Sequence, residues 1–394
     1  MAIMRLLRSC GDREERGTKM RHRPASRDCA ALAVLLAVFT FCGKEEPPER
    51  ERNLRDRLQQ LRSIPYTAVT PGRVSGDTSG VVLFDKLRAS ESGLGPDTLA
   101  SELGLHEPYV RLWCQSAYYF EILDCAEDGR FKLAPHMGSL LTDPENPYYF
   151  GHRARFMVSH WAKLLKSHPE YYKSGDTHFW DALGYEFSKD AKALTSHLVP
   201  LAYRFMIIPS IPGLKERLDA GMKVLDVGCG GGDLMIQLAK DFPRCSFVGI
   251  EIDRFVIDDA QRYLEDNGVE DRTSVMLVDA ASMEYDGEFD LVNMAVVLHE
   301  ISPNTRYGSM ANCYNALKDG GEIVIFDFAY PERVEDFRNP EYAPSIKDQF
   351  YEITWGTEHL PRSERHQLLI ELGFKDVTTS PIFGGAVEVT FAKK

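Results

Sequence analysis

The chain has no Cys-x-x-Cys pair and no His and Cys residues at the spacing of a metal site. Its eight cysteines stand singly, at 10, 29, 42, 114, 125, 229, 245 and 313. A disulfide framework is thereby excluded, and a reduced compartment is the simplest setting. Basic charge is scarce as well. Lys and Arg number 46 against 59 Asp and Glu, a net charge of −13. Nucleic acid is therefore not expected as the main partner, because phosphates demand a basic face. The apolar run at 30–41 holds 12 residues, short of the roughly 20 that span a bilayer. What is plentiful is core: 394 residues, 44% hydrophobic and 11% aromatic, suffice for two domains and an extension.

Residues 1–62 read as a leader and linker. The first 28 are rich in Arg. The run at 30–41 has the length of a signal peptide's apolar core, especially if counted from Met20. Cys42 resembles a lipoprotein cleavage site, although Phe39-Thr40-Phe41 is bulky for one. Export or anchoring would thus run through residues 20–42; the other reading is an unstructured leader. Leu54, Leu58 and Leu61 recur at helical spacing among charges and mark a short linker helix within 44–62.

Residues 63–145 are expected to form a mostly helical winged-helix domain. A first helix carries Val81, Val82, Leu83 and Leu87, a second starts at Pro96 and stops at Gly104, and a third covers 108–120. Strands at 122–125 and 130–133, joined through Glu127-Asp128-Gly129, make the wing. Five bases face ten acids between 76 and 135. Phosphates would be repelled, so dimerisation and roofing of a substrate are the expected roles. Residues 146–215 form a helical connector and lid dense in aromatic rings, most of them core and some lining a pocket.

Strands and helices alternate over 216–394. Strands are read at 223–228, 246–251, 274–278, 290–297 and 322–328, with helices at 232–241, 254–267 and 304–318. This is an α/β pattern, a Rossmann-like parallel sheet. A helix at 362–371 and strands at 375–382 and 386–392 bring the sheet to seven strands.

The first strand runs into Asp226-Val227-Gly228-Cys229-Gly230-Gly231-Gly232. Gly228, Gly230 and Gly232 allow a tight turn that a ligand can approach without side chains between. A dinucleotide fingerprint would need a third glycine at 233, where the chain has Asp233. An acid there repels pyrophosphate and suits a phosphate-free cofactor with sulfonium and ammonium charges, S-adenosylmethionine (SAM). Asp226 follows the same logic. Glu251 ends the second strand, where a carboxylate can accept both ribose hydroxyls; Asp253 beside it reads better as a helix N-cap. Asp279 and Ala280 end the third strand toward the adenine, and Asn293 of the fourth completes the cofactor set. Just past that strand stands His299-Glu300. A neutral His299 can take a proton from an attacking hydroxyl, or it merely caps the element.

The stretch VVLHEISPNTRYGSMANCYNALKDGGEIVIFDF resembles the VLHDW…ALxxGGxxxIxE segment of small-molecule O-methyltransferases. The resemblance covers residues 76–394 and implies a winged-helix dimerisation domain before a SAM domain, a homodimer, and His299 as general base. Three departures stand out: Glu300 for Asp, Ile301-Ser302-Pro303 for aromatic and polar residues, and Pro361 where an acid precedes Arg362-Ser363. Glu358 lies three residues early, and Asp327 is another candidate partner for the base. The expected activity is methyl transfer from SAM to a small organic acceptor at oxygen, without a metal, in the cytoplasm where SAM is supplied. Alternatives are N-, C- or protein methylation on the same fold, or a SAM-binding regulator acting through the winged helix.

Overall fold

The computed structural model describes residues 83–394 apart from 136, 144, 145, 147, 148, 157, 158, 161 and 179–182. The expectations for the leader, the apolar run at 30–41 and the linker helix lie outside the described residues. Among the described residues no helix is long and apolar enough to cross a membrane.

Three helices open this region: α1 (Leu83–Arg88), α2 (Pro96–Leu103) and α3 (Glu107–Tyr119). Pro96 suits the first turn of α2, where its missing N–H costs nothing, and Gly104 ends that helix with a left-handed backbone. A hairpin follows, β1 (Leu123–Cys125) pairing antiparallel with β2 (Phe131–Leu133). Leu83, Phe84, Leu99, Val110, Trp113, Leu123 and Phe131 make a core of their own. The wing is one residue shorter on each strand than the sequence pattern suggests. Helices at Met137–Thr142, Gly151–Phe156 and Ala162–Ser174 lead to α4 (Tyr185–Thr195).

From residue 223 a seven-stranded sheet forms. Its strands are β3 (Lys223–Val227), β4 (Ser246–Glu251), β5 (Thr273–Leu277), β6 (Phe289–Ala295), β7 (Leu317–Phe328), β8 (Lys375–Ile382) and β9 (Val387–Lys393), in the order β5-β4-β3-β6-β7-β9-β8. β3 to β7 run parallel, and β9 is antiparallel to both β7 and β8. The chain moves outward from β3 to β5 through α5 (Asp233–Asp241) and α6 (Arg254–Asp266), then returns to β6 on the other side of β3. That reversal opens a crevice at the carboxyl ends of β3, β4 and β6.

The central strands are buried on both faces, so they read as nearly continuous apolar runs. Leu225, Val227, Val292, Met294, Ile323 and Ile325 pack with Met310 and Cys313 of α7 (Pro303–Ala316), and with Leu369 of α9, where α9 spans Arg362–Glu371. Few polar residues interrupt these strands; Asp226, Asn293, Glu322 and Asp327 are buried among them.

Two element assignments need correction. β7 begins at Leu317, not 322, because Leu317 pairs with Phe289 and the Gly320-Gly321 step continues the strand. A helix absent from the sequence reading, α8 (Ala343–Trp355), fills the stretch after β7.

Candidate functional site

The glycine turn joins β3 to α5. Gly228, Gly230 and Gly232 have φ of 68°, 52° and 78°, a region that favours glycine. At Gly228 a Cβ would lie 2.5 Å from Val297 Cγ2, so the turn and the segment just past β6 are in close contact. At Gly230 a Cβ would meet nothing within 4 Å: that face of the turn is an open cradle. Backbone hydrogen bonds hold the turn to β4, with Gly228 N and Cys229 N donating to Ile250 O at 2.8 and 3.1 Å.

Glu251 fixes the tip of the turn. Gly230 N donates to its Oε2 at 2.9 Å, while Ile252 N and Asp253 N donate to its Oε1 at 2.8 and 2.9 Å. Burial nonetheless raises its pKa above the ordinary carboxylate value. Asp253 accepts from Phe255 N at 2.9 Å and is the N-cap of α6, the role expected for it. Asp226 lies beside Asn293 in the sheet register, and Asn293 Nδ2 donates to Asp226 Oδ1 at 2.5 Å. Burial pushes the Asp226 pKa to about 7 against that hydrogen bond. Asn293 Oδ1 is buried without a hydrogen-bond partner among the described residues. Asp279 is exposed after β5 and caps the turn at Ala280–Ser282 through Ala281 N, 2.8 Å away. Asn312 Nδ2 of α7 donates to the carbonyls of Ala280 and Ala281 at 3.0 and 3.1 Å, holding this turn against α7.

The other half of the site lies past β6 and β7. Val296 has φ of 62°, an uncommon conformation for a β-branched residue. Such strain concentrates at functional sites. The bend leads into His299, which is 2% exposed. Its Nδ1 lies 2.6 Å from Asp327 Oδ1, and its backbone N donates to Asp327 Oδ2 at 3.2 Å. A carboxylate only accepts, so Nδ1 carries the proton and Nε2 points onward. Burial alone would lower the His299 pKa; the charge and hydrogen bond of Asp327 outweigh it and lift it to about 10. Reciprocally, His299 outweighs the burial of Asp327 and holds that carboxyl at about 2.

Sequence reasoning missed the walls around His299. His359 stacks on it with ring centroids 4.3 Å apart and planes 21° apart, and Tyr330 stacks on His359 at 5.5 Å. Asp348 and Glu352, one turn apart on α8, complete the cluster. Asp348 Oδ2 lies 3.2 Å from His359 Nε2 and 3.9 Å from His299 Nε2. Glu352 is buried and accepts from Thr357 Oγ1 at 2.6 Å, and burial lifts its pKa to about 7. Gly356 ends α8 in the left-handed region, and Gln349 Oε1 accepts from His359 N at 2.8 Å, which folds the following loop back over the helix. No local spacing announces this arrangement, since residues 299, 348 and 359 come from three segments. Lys192 of α4 was missed too: its stem packs over Gly231 and its Nζ lies 5.5 Å from the Tyr263 ring.

The structure thus joins Gly230 to Glu251, Asp226 to Asn293, and His299 to Asp327. Glu358 instead presents its backbone carbonyl to Arg306, at 2.9 Å.

Comparison with known proteins agrees with this layout. Residues 218–365 match the family model of a methyltransferase domain. In sequence the chain is similar to the sterol 24-C-methyltransferase of Yarrowia lipolytica, 24% identical over 216 residues, 55% of this chain and 51% of that one. It is also similar to the ubiquinone/menaquinone biosynthesis C-methyltransferase UbiE of Geobacter sp., 25% identical over 195 residues, 46% of this chain and 82% of that one. The chain spans about half or less of the length of the first curated relatives it matches. In structure it resembles human N-acetylserotonin methyltransferase in complex with SAM, with TM-score 0.68, 16% identity, and 89% and 99% of the two chains covered. The mitomycin 7-O-methyltransferase MmcR gives TM-score 0.68 at 19% identity over 87% and 97% of the chains. At such identities the likeness is one of fold.

Proposed function

Starting from a methyltransferase domain at residues 218–365, we propose that this protein transfers the methyl group of SAM to an oxygen of a small organic acceptor. The observation that carries the reading is the pairing of two adjoining half-sites. An open glycine cradle tied to a ribose-type acid lies on one side, and a buried imidazole oriented by a carboxylate on the other.

The residues of the cradle fit the cofactor. Gly230 leaves room for a ligand, and Glu251 Oε2 keeps one lone pair beyond its backbone donor for a ribose hydroxyl. Glu251 gives the turn a negative character suited to a cationic ligand. Lys192 supplies a positive charge over Gly231 for a carboxylate. Asp279, Ala280 and Asn293 complete the cofactor side. SAM supplies, when bound, a methyl group on a positively charged sulfur that already leaves readily.

The protein's own work is then mostly positioning, and in-line placement supplies much of the rate. His299 Nε2 accepts the acceptor's hydroxyl proton, while Asp327 fixes the tautomer and stabilises the resulting imidazolium. The aromatic walls Phe328, Tyr330 and His359 offer flat faces to an organic acceptor. The sequence relatives carry C-methyltransferase names, so the acceptor atom is the point to test.

Calorimetric titration with SAM, using NAD as the control ligand, checks the cofactor. Labelled SAM offered with phenols, hydroxy acids, amines and acidic carbon nucleophiles checks the acceptor. Binding of SAM alone and label in ether or ester products are expected. Label only in N- or C-methyl products would overturn the oxygen assignment, and no SAM binding would overturn the whole reading. We also propose that α1 to α3 and the hairpin pair two copies of the chain, because α3 leaves Tyr109, Leu112 and Tyr119 exposed. Light scattering that reports a monomer would remove this.

A further inference from the structure

Two imidazoles lie face to face at the acceptor end, although proton removal needs only one base. The rings of His299 and His359 stack with centroids 4.3 Å and planes 21° apart. Tyr330 stacks on His359 in turn, at 5.5 Å and 21°. The second imidazole is held as firmly as the first. His359 N donates to Gln349 Oε1 at 2.8 Å, and His359 Nε2 lies 3.2 Å from Asp348 Oδ2. The His359 side chain is 1% exposed. A carboxylate only accepts, so Nε2 carries the His359 proton. His359 Nδ1 is then a bare acceptor, buried with no hydrogen-bond partner among the described residues. Such a group is costly to bury, and leucine would fill the space without it. Packing alone therefore does not account for a histidine at this position.

The charges around His299 come from several elements: Asp327 from β7, Asp348 and Glu352 from α8, and Glu300 next in the chain. Arg365 of α9 acts on Asp327. His359 is the neutral member of the pair. Burial and the charge of His299 lower its pKa, against the pull of Asp348 and Asp327.

We propose that His359 is the positioning residue of the base: its neutral face fixes the His299 ring and stabilises the positive charge His299 gains on taking the acceptor's proton. An aromatic face attracts a cation within about 6 Å of its centroid, and the two rings are well inside that distance. Donation from His359 Nε2 to Asp348 enriches the ring in electrons and strengthens that face. His299 Nε2 is 3.9 Å from Asp348 Oδ2, too far for a hydrogen bond, so it stays free for the acceptor. The catalytic part of this inference rests on the proposed transfer to oxygen; the pairing of the rings rests on their geometry alone.

The test compares His359→Phe, which keeps an aromatic face, with His359→Leu, which fills the space without one. Protonation of His299 is followed by NMR of the full chain carrying ¹⁵N-labelled histidine, its signal identified by its loss in His299→Gln. His359→Leu should move the His299 midpoint down by about 0.5–1.5 pH units, and His359→Phe should hold it. With a hydroxyl acceptor, His359→Leu should lower kcat on its alkaline plateau about 2- to 30-fold at unchanged KM, and His359→Phe should recover most of that loss. SAM titration of each variant reports that the fold is intact. A native midpoint and rate in folded His359→Leu, or equal losses in the Leu and Phe variants, would overturn the role. A shifted midpoint with label only in N- or C-methyl products would leave the ring pair standing and remove the oxygen reading.

Discussion

At the level of single residues, His299 and Asp226 illustrate opposite uses of burial. His299 is held as an imidazolium to about pH 10 because Asp327 outweighs desolvation. A base must be neutral, so the rate should climb as pH rises from neutral into the alkaline range. Asp327→Asn should move that rise to lower pH and slow the plateau. His299→Ala should slow transfer to hydroxyl acceptors by roughly 10²–10⁴-fold with SAM affinity unchanged; a pH–rate profile beside a SAM titration measures both. Asp226 has no cation to offset its burial, and its pKa rises from 3.8 to about 7. Its ionisation therefore costs stability progressively from pH 4 to pH 7 and fully above that. Asp226→Asn should remove a cost on the order of 4 kcal/mol at pH 8, and the two proteins should converge below pH 4. Urea unfolding across pH decides it. The motif around His299 made that residue legible in the sequence. Its partner Asp327 was only one of two candidates, since choosing between them needed the adjacency of β6 and β7.

At the level of elements, the glycine turn was readable because strand, glycines and helix are consecutive in the chain. The structure separates what those glycines do. Gly230→Arg projects into the open cradle and should abolish SAM binding while the protein stays folded. Gly228→Ala places a methyl against Val297 at a φ of 68°, so it should lower the thermal midpoint as well. Calorimetry with and without SAM separates the two outcomes. Helix α8 escaped notice because its sequence, APSIKDQFYEITW, mixes buried Tyr351, Glu352 and Thr354 with exposed Phe350 and Ile353. Asp348 and Glu352 face the site while Phe350 and Ile353 are exposed, so no clean helical stripe appears. The pairing of α9 with β9 was equally hidden. Glu388 accepts from both Arg362 and Arg365, and Arg365 is 2% exposed. Glu388→Ala leaves that guanidinium buried without its partner and should cost about 3–5 kcal/mol, measurable by chemical unfolding.

At the level of the whole molecule, the alternating pattern from 216 onward foretold the seven-stranded sheet, because a parallel core imposes long apolar strands at regular intervals. The acceptor pocket was much less legible. Its donors are brought together by the return of the chain over β7, and such long-range proximity leaves no periodic trace. The two halves also draw on different stretches of chain. Apart from Lys192 and Asn312, the cofactor side is assembled between residues 226 and 293, and the acceptor side only after 296. Substitutions confined to 330–361 should therefore change which acceptors turn over while leaving SAM affinity within about twofold, checked by acceptor profiling beside SAM titration. A shift in SAM affinity as large as the shift in acceptor preference would contradict this independence.

The bend at Val296 is where those two stretches meet. It joins them by contact: Val297 lies against Gly228 of the glycine turn, and two residues on His299 meets Asp327. A substitution at 296 or 297 should therefore register on both ligands, unlike those confined to 330–361.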